Sequence, residues 1–325
     1  MKKASTAILL ATTLLALVSC GEDSNDYNYK KDKDNASDIV TDPRQKVGPI
    51  EAQTNLEFPA LKQSGCVVIV HKAILNDQTK EQGINYAVEW DTSKRTQRWT
   101  CYKAYSNVIR SDIGSKNVSR YYTNNGETLT PTSQYPNDPD LPAEYRFTAD
   151  PYKGSGYDHG HICPSADRLR ATEANYQTFF LSNMQPQTRA LNGSVDYNAD
   201  YSPWYRIESR VRTWAMQSDT LYVCKGGYIG SSTTTIGSGA NKIPVPSYFF
   251  VALLSKRGAT YKAVGFWMKH ESNYTKQAPL SSYTMNIREL ESKTGMDFFC
   301  NLKAETERDI ENADMSDILN DWTIQ

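Results

Sequence analysis

Asp158-His159-Gly160-His161 places two of the four histidines in this 325-residue chain two positions apart, behind an aspartate and around a glycine. Histidine is the side chain whose ordinary pKa lets it exchange a proton near neutral pH. A neutral imidazole can deprotonate a water if a neighbour fixes its tautomer, so His161 is the candidate general base. Two readings compete. His161 could be an interior histidine with both nitrogens satisfied. Alternatively, two apart on a strand and therefore on one face, His159 and His161 could ligate Zn2+, although no third ligand is apparent. Asp158 reads as an acceptor that orients backbone rather than as a catalytic acid.

Other polar residues follow at suggestive places. Asn183, in Leu181-Ser182-Asn183-Met184, could shape the turn beside the base. Asn192 precedes Gly193 and would suit a turn. Glu208 and Arg212 stand four apart, which puts them on one helix face, where they could equally form an ordinary surface pair.

The elements that must carry these residues are readable in outline. Cys66 to His71 is a β-branched run and predicts a buried strand. Asn85–Trp90 and Arg98–Tyr105 predict two strands around the polar turn Asp91-Thr92-Ser93-Lys94. The stretch 107–134 is polar and predicts loop or weak hairpin, and Thr178 to Asn183 predicts a short apolar strand. From Trp204 to Met216, apolar side chains recur at helical intervals, with Glu208, Arg210 and Arg212 on other faces. Leu221–Cys224, Tyr248–Leu254 and Ala263–Met268 predict further strands, and Asn286–Thr294 a helix stopped by Gly295. Strands adjacent in sequence with few crossover helices predict an α+β fold, a central antiparallel sheet with flanking helices.

Taken together, the Asp-x-Gly-His segment, Leu181 to Gln187, Leu191-Asn192-Gly193 and the Glu208/Arg212 pair resemble the DNA/RNA non-specific endonucleases of the ββα-metal type, the family of the Serratia nuclease and mitochondrial endonuclease G. The resemblance runs from roughly residue 65 to residue 300 and includes Trp99-Thr100-Cys101-Tyr102-Lys103 and the ending from Glu289 to Phe299. It implies a ββα-metal active-site motif and hydrolysis of DNA and RNA to 5′-phosphate ends. His161 matches the family's base. Asn192, fixed by the Pro186-Gln187-x-x-x-Leu191-Asn192 spacing, matches the single protein ligand of a hydrated Mg2+, with Mn2+ or another divalent cation as substitutes. Glu208 matches a residue supporting a metal-bound water, and Arg212 one that pairs with the phosphate.

The chain departs from the family pattern in three places. His159 stands where arginine is usual, which loses a phosphate-facing cation or makes it depend on pH. Lys103 stands for a second substrate-binding arginine and offers a point charge instead of a fork. The segment from Ser194 to Pro203 lengthens the path from Asn192 to the helix by about two helical turns. If the helix does not absorb it, Asn198 or Asp200 could take the metal instead.

Composition sets the remaining limits. A net charge of −1 argues against a protein that coats polyanions generally, without excluding a local cationic cleft. Residues 1–19 combine a cationic start with an apolar run too short to span a bilayer, as in a secretory signal. The junction Leu17-Val18-Ser19-Cys20 resembles the lipobox of bacterial lipoproteins, which implies lipidation of Cys20, membrane anchoring, and a place in the periplasm or on the cell surface. Residues 20–55 read as a disordered tether, poor in large apolar side chains, and 56–325 as one domain. Five cysteines remain after Cys20, an odd number that leaves at least one thiol free. Cys66, Cys101 and Cys224 lie in strand-like contexts and suit burial as well as bridging. Two functions result: an exported sugar-non-specific endonuclease, or a catalytically weak surface-binding lipoprotein whose many aromatics would stack on sugars.

Overall fold

The structure, a computed structural model, describes residues 48–62, 64–109, 118, 120–121, 134–194 and 196–325. The expected signal peptide, Cys20, most of the tether and most of the polar stretch 107–134 lie outside these residues. The expected end of the tether moves. Ile50–Thr54 form a short helix, α1, with Ala52 and Leu56 buried, because these apolar side chains find partners on the sheet.

Among the described residues, seven strands form one antiparallel sheet. In sheet order they are β1 (Cys66–Asn76), β2 (Glu81–Asp91), β3 (Thr96–Ala104), β6 (Thr220–Tyr228), β9 (Tyr248–Arg257), β10 (Thr260–Lys269) and β11 (Thr284–Met285). The sequence reason is the supply of β-branched and aromatic residues, interrupted by turns that bend sharply. In the β2–β3 turn, Asp91 Oδ1 accepts from the Ser93 and Lys94 amides at 3.0 Å each, an Asx-type closure of the polar turn. A second hairpin pairs β4 (Asp158–His161) with β5 (Met184–Gln187), and a third pairs β7 (Thr235–Ile236) with β8 (Ile243–Pro244).

The central strands bury both faces, so two cores lie on opposite sides of the sheet. On one side Tyr102 and Ala104 of β3 and Val223 of β6 pack against Trp204, Ile207, Val211 and Trp214 of helix α4 (Pro203–Gln217). Each such side chain contributes about 1.5–3 kcal/mol by leaving water. On the other side Trp99, Cys101, Tyr222 and Cys224 meet α1, helix α5 (Ile287–Thr294) and helix α6 (Ala304–Glu311). Helix α5 starts at the Asn286 cap and stops at Gly295 in the left-handed region, as its sequence predicts. Cys66, Cys101, Cys163, Cys224 and Cys300 are all free thiols. The predicted strand at Thr178–Asn183, which follows helix α2 (Thr172–Gln177), is not one. The run makes turns and a 3-10 segment at Leu181–Asn183, its aromatics packing on histidines, and the strand begins only at Met184.

Candidate active site

The β4–β5 hairpin sets the two motif histidines. Gly160 faces Gln187 of the paired strand so closely that an added Cβ would lie 2.3 Å from its Cγ and Cδ, so only glycine fits between them. Strand alternation then turns His159 and His161 to the same side, into a cavity of about 380 Å³. Behind them the chain enters α3 (Arg189–Asn192), capped by Thr188 and ended by Gly193 at φ +69°. It then reaches α4, capped by Ser202, whose hydroxyl accepts from the Tyr205 amide at 3.1 Å. Asn192, Glu208 and Arg212 thereby reach the same cavity as the histidines.

His161 is held by one nitrogen and open at the other. It makes a hydrogen bond to the His159 backbone, and its Nε2 has no hydrogen-bond partner among the described residues. Phe179 meets the ring edge-on at 4.8 Å. Burial, together with the positive charges of His159 and Arg120, pushes its pKa down to about 3, so the ring is neutral and Nε2 carries a lone pair. Buried Asn183 fixes the backbone just beyond it, accepting from the Cys163 amide at 2.8 Å and donating to the Cys163 and Thr178 carbonyls at 2.9 and 2.8 Å. His161 is therefore not an interior histidine with both nitrogens satisfied.

His159 is held differently. Its ring stacks on Tyr135 at 3.7 Å and on Tyr152 at 4.2 Å, while Nε2 meets both carboxylate oxygens of Asp150 at 3.0 and 3.1 Å. Asp158 orients a side chain rather than backbone. It accepts from Asn192 Nδ2 at 3.0 Å and from the Ser194 hydroxyl. With the amide nitrogen so engaged, the Asn192 carbonyl oxygen is the end left to face the cavity. Asn198 and Asp200 do not reach that cavity. Asn198 caps the 3-10 turn Ala199–Tyr201 by accepting from the Asp200 amide, and both residues are exposed.

Glu208 and Arg212 are not paired with each other among the described residues. Glu208 binds Lys225 Nζ at 2.8 Å, and that buried ammonium lies 4.0 Å over the Trp204 ring. Burial raises the Glu208 pKa against the opposing pull of Lys225. Arg212 donates to Asp167 Oδ1 at 3.1 Å, and Tyr102 donates to the other oxygen at 2.9 Å. Both cavity-facing groups are thus fixed by buried counter-charges from other elements.

Lys103 is corrected. It projects from β3 on the face opposite Tyr102 and Ala104, with Nζ 5.9 Å over the Tyr222 ring, so the sheet separates it from the cavity. Beside Arg212 the cationic lining includes Arg120, a residue of the polar stretch that carried no motif. Lys225, Asp167 and Asp150 were also unmarked. Of these, Lys225 alone left a trace in the sequence, a cation directly after the apolar run Leu221–Cys224.

Among the described residues two further clusters could hold a cation, Glu291 with Asp297 and Glu311, and His71 with Asp138 and Asp140, the latter outside this cavity. The His71 ring meets Asp138 through Nε2 at 3.0 Å and Asp140 through Nδ1 at 3.3 Å. Burial alone would lower its pKa, but the hydrogen bonds to both carboxylates raise it to about 9. Without a metal the ring is an imidazolium between two carboxylates.

Known proteins bear on this arrangement. The model of the family described as DNA/RNA non-specific endonuclease matches residues 71–305. A nuclease of Nostoc sp. is 30% identical over 239 residues, spanning 70% of this chain and 75% of that protein. Nuclease C1 of Cunninghamella echinulata var. echinulata is 26% identical over 233 residues, spanning 70% and 84%. The mitochondrial nuclease EXOG of Mus musculus is 26% identical, spanning 70% of this chain and 58% of that protein. A chain in the crystal structure of the EndoG/EndoGI complex shares the fold, with a TM-score of 0.55 at 20% identity over 68% of this chain and 85% of that one.

Proposed function

The chain belongs to the DNA/RNA non-specific endonuclease family, whose members are nucleic-acid-hydrolysing enzymes, and from that premise we propose that it cleaves phosphodiester bonds of both DNA and RNA using His161 as general base and a Mg2+ ion held at Asn192, leaving 5′-phosphate ends. The observation that carries this reading is that neutral His161, whose Nε2 has no partner among the described residues, lines one cavity with Asn192 and Arg212.

A metal ion fits the residues present. Asp158 takes the Asn192 amide nitrogen and leaves a hard, neutral oxygen, a donor that suits a magnesium keeping most of its waters. When bound, the ion supplies Lewis-acid stabilisation of the leaving oxygen. His161 Nε2 accepts the proton of the attacking water, with its other nitrogen tied to the backbone. Its pKa near 3 makes it a weak base in the free protein, and an incoming phosphodiester anion favours the imidazolium and strengthens it. Arg212, held by Asp167, presents its remaining N–H groups to the phosphate. Glu208 orients water. Contacts to backbone phosphates alone carry no sequence information, which accounts for non-specificity.

The test is incubation of plasmid DNA and of RNA with Mg2+ or with EDTA, using wild type and Asn192→Ala. Expected are cleavage of both polymers with Mg2+, arrest by EDTA, and products whose 5′ ends accept label only after phosphatase treatment. Asn192→Ala loses about 10²–10³-fold in rate, the equivalent of several kcal/mol of metal stabilisation, with partial recovery at high Mg2+. Binding without cleavage would instead identify the surface-binding lipoprotein. The proposal extends to location, on the strength of the Leu17-Val18-Ser19-Cys20 junction alone. Radiolabelled palmitate should enter the protein in a bacterial host and be lost in Cys20→Ala. Retained label would overturn lipidation at Cys20.

A further inference from the structure

Helix α4 carries more than Glu208 and Arg212. Tyr205, one turn earlier, is a large aromatic left 40% exposed, with its side chain against Gly193 at the lip of the catalytic cavity. The same side chain also walls a second hollow of about 330 Å³ on the neighbouring side of the helix. Arg206 and Arg210 line that hollow, four residues and about 6 Å apart along the helix axis. Each guanidinium is pinned by one nitrogen. Arg206 Nη1 donates to the Ala278 carbonyl at 2.6 Å, and Arg210 Nη2 donates to the Thr323 carbonyl at 2.7 Å. Among the described residues neither has a carboxylate within salt-bridge distance, although Asp200 lines the same hollow. Two pre-oriented cations with no carboxylate in direct contact among the described residues, reached from the reaction cavity across an exposed aromatic ring, suit a polyanion that carries planar groups between its charges.

We propose that a nucleic-acid strand leaving the catalytic cavity stacks a base on Tyr205 and places its following phosphates on Arg206 and Arg210. This rests on the nuclease reading and deepens it, since it fixes the course of the strand and the means of holding it. Stacking on a ring tolerates any base, and guanidinium–phosphate contacts ignore sequence. The subsite therefore adds affinity for a polymer without adding specificity. It acts on substrates long enough to reach it and leaves a short diester to the cavity alone.

The test uses the full-length chain with Tyr205→Ala and the double variant Arg206→Gln/Arg210→Gln. Binding of a fluorescent single-stranded oligodeoxythymidylate is followed by anisotropy in EDTA over a range of salt, and hydrolysis of the oligonucleotide and of bis(4-nitrophenyl) phosphate is followed with Mg2+. Tyr205→Ala should weaken oligonucleotide binding by about 5- to 150-fold, the range for one lost base stack. The double variant should flatten the slope of log affinity against log salt by about 1.4, two phosphate contacts on a single strand. In both, the loss in kcat/KM on the oligonucleotide should exceed the loss on the small diester by about tenfold, in KM rather than in kcat, with melting temperatures unchanged. Unchanged affinity and salt slope would overturn the subsite. So would equal losses on both substrates, which would mark these residues as supports of the helix. If wild type neither binds the oligonucleotide nor cleaves either diester, the nuclease reading fails first and takes the subsite with it.

Discussion

Two histidines, buried His71 on β1 and half-buried His161 on β4, sit against adjacent phenylalanines and titrate in opposite directions. His71 contacts Phe180 and Tyr86, and His161 contacts Phe179. Burial pushes both pKa values down. At His71 two carboxylates, one on each ring nitrogen, reverse that push and raise it to about 9. At His161 one nitrogen has the backbone and the other has no partner among the described residues, the nearby charges are positive, and the value falls to about 3. The lesson is that a buried histidine is not a site. A completed shell makes a clamp, here tying β1 to Asp138, which also accepts from the Ser182 hydroxyl beside Asn183. An incomplete shell opening on a cavity makes a reagent.

The contrast breaks most clearly through activity. His161→Ala should cost about 10²–10⁴-fold in plasmid-nicking rate, the usual worth of a positioned general base, while circular dichroism and melting stay close to wild type. A folded His161→Ala protein with near-normal rate would end the assignment. The mirror experiment is His71→Ala. Removing one partner of a buried ion cluster strands Asp138, at a cost of about 3–5 kcal/mol in urea unfolding. Well below its melting temperature this variant should still cut DNA within a few-fold of wild type. Lost activity with stability intact would mean that the clamp takes part in chemistry.

The sequence made one member of this pair legible and hid the other, for reasons that lie in particular residues. The His161 motif, Asn183, Asn192 and the α4 face were readable because each depends on local spacing: a two-residue strand alternation, a turn, a helical repeat. What completes the site comes from afar. Asp150, Asp167 and Lys225 each clamp a motif residue, and no local pattern marks a side chain whose partner lies on another element. Lys103 misled for a related reason. Central strand β3 is buried on both faces, so Trp99-Thr100-Cys101-Tyr102-Lys103 shows no alternation from which to read the side facing α4. The run Thr178–Asn183 failed as a strand because a short apolar stretch fits a buried turn equally well. His71 carries no motif at all, and its partners become visible only when the chain at 138–140 folds over β1.

The smallest effect separates the two histidines by the sign of a slope. For His71 the folded-state pKa of about 9 lies above the ordinary 6.5, so the folded protein holds its proton more tightly than the unfolded chain. Its contribution to stability is complete below pH 6.5 and is lost as pH rises through 9. For His161 the folded value of about 3 lies below 6.5, so the unfolded chain binds the extra proton. That contribution is complete above pH 6.5 and is lost as pH falls toward 3. One proton of difference gives at most about 1.4 kcal/mol per pH unit in either case. Many carboxylates titrate at the acid end, so the informative quantity is a difference between proteins: urea stability of wild type minus that of His71→Gln, and of wild type minus that of His161→Gln, from pH 5 to pH 9. The first difference should shrink from pH 6.5 to 9 and stay level below. The second should shrink from pH 6.5 to 5 and stay level above. Two curves with the same sign of slope would mean that the carboxylates around His71 do not outweigh its burial, and the two histidines would then differ in accessibility alone.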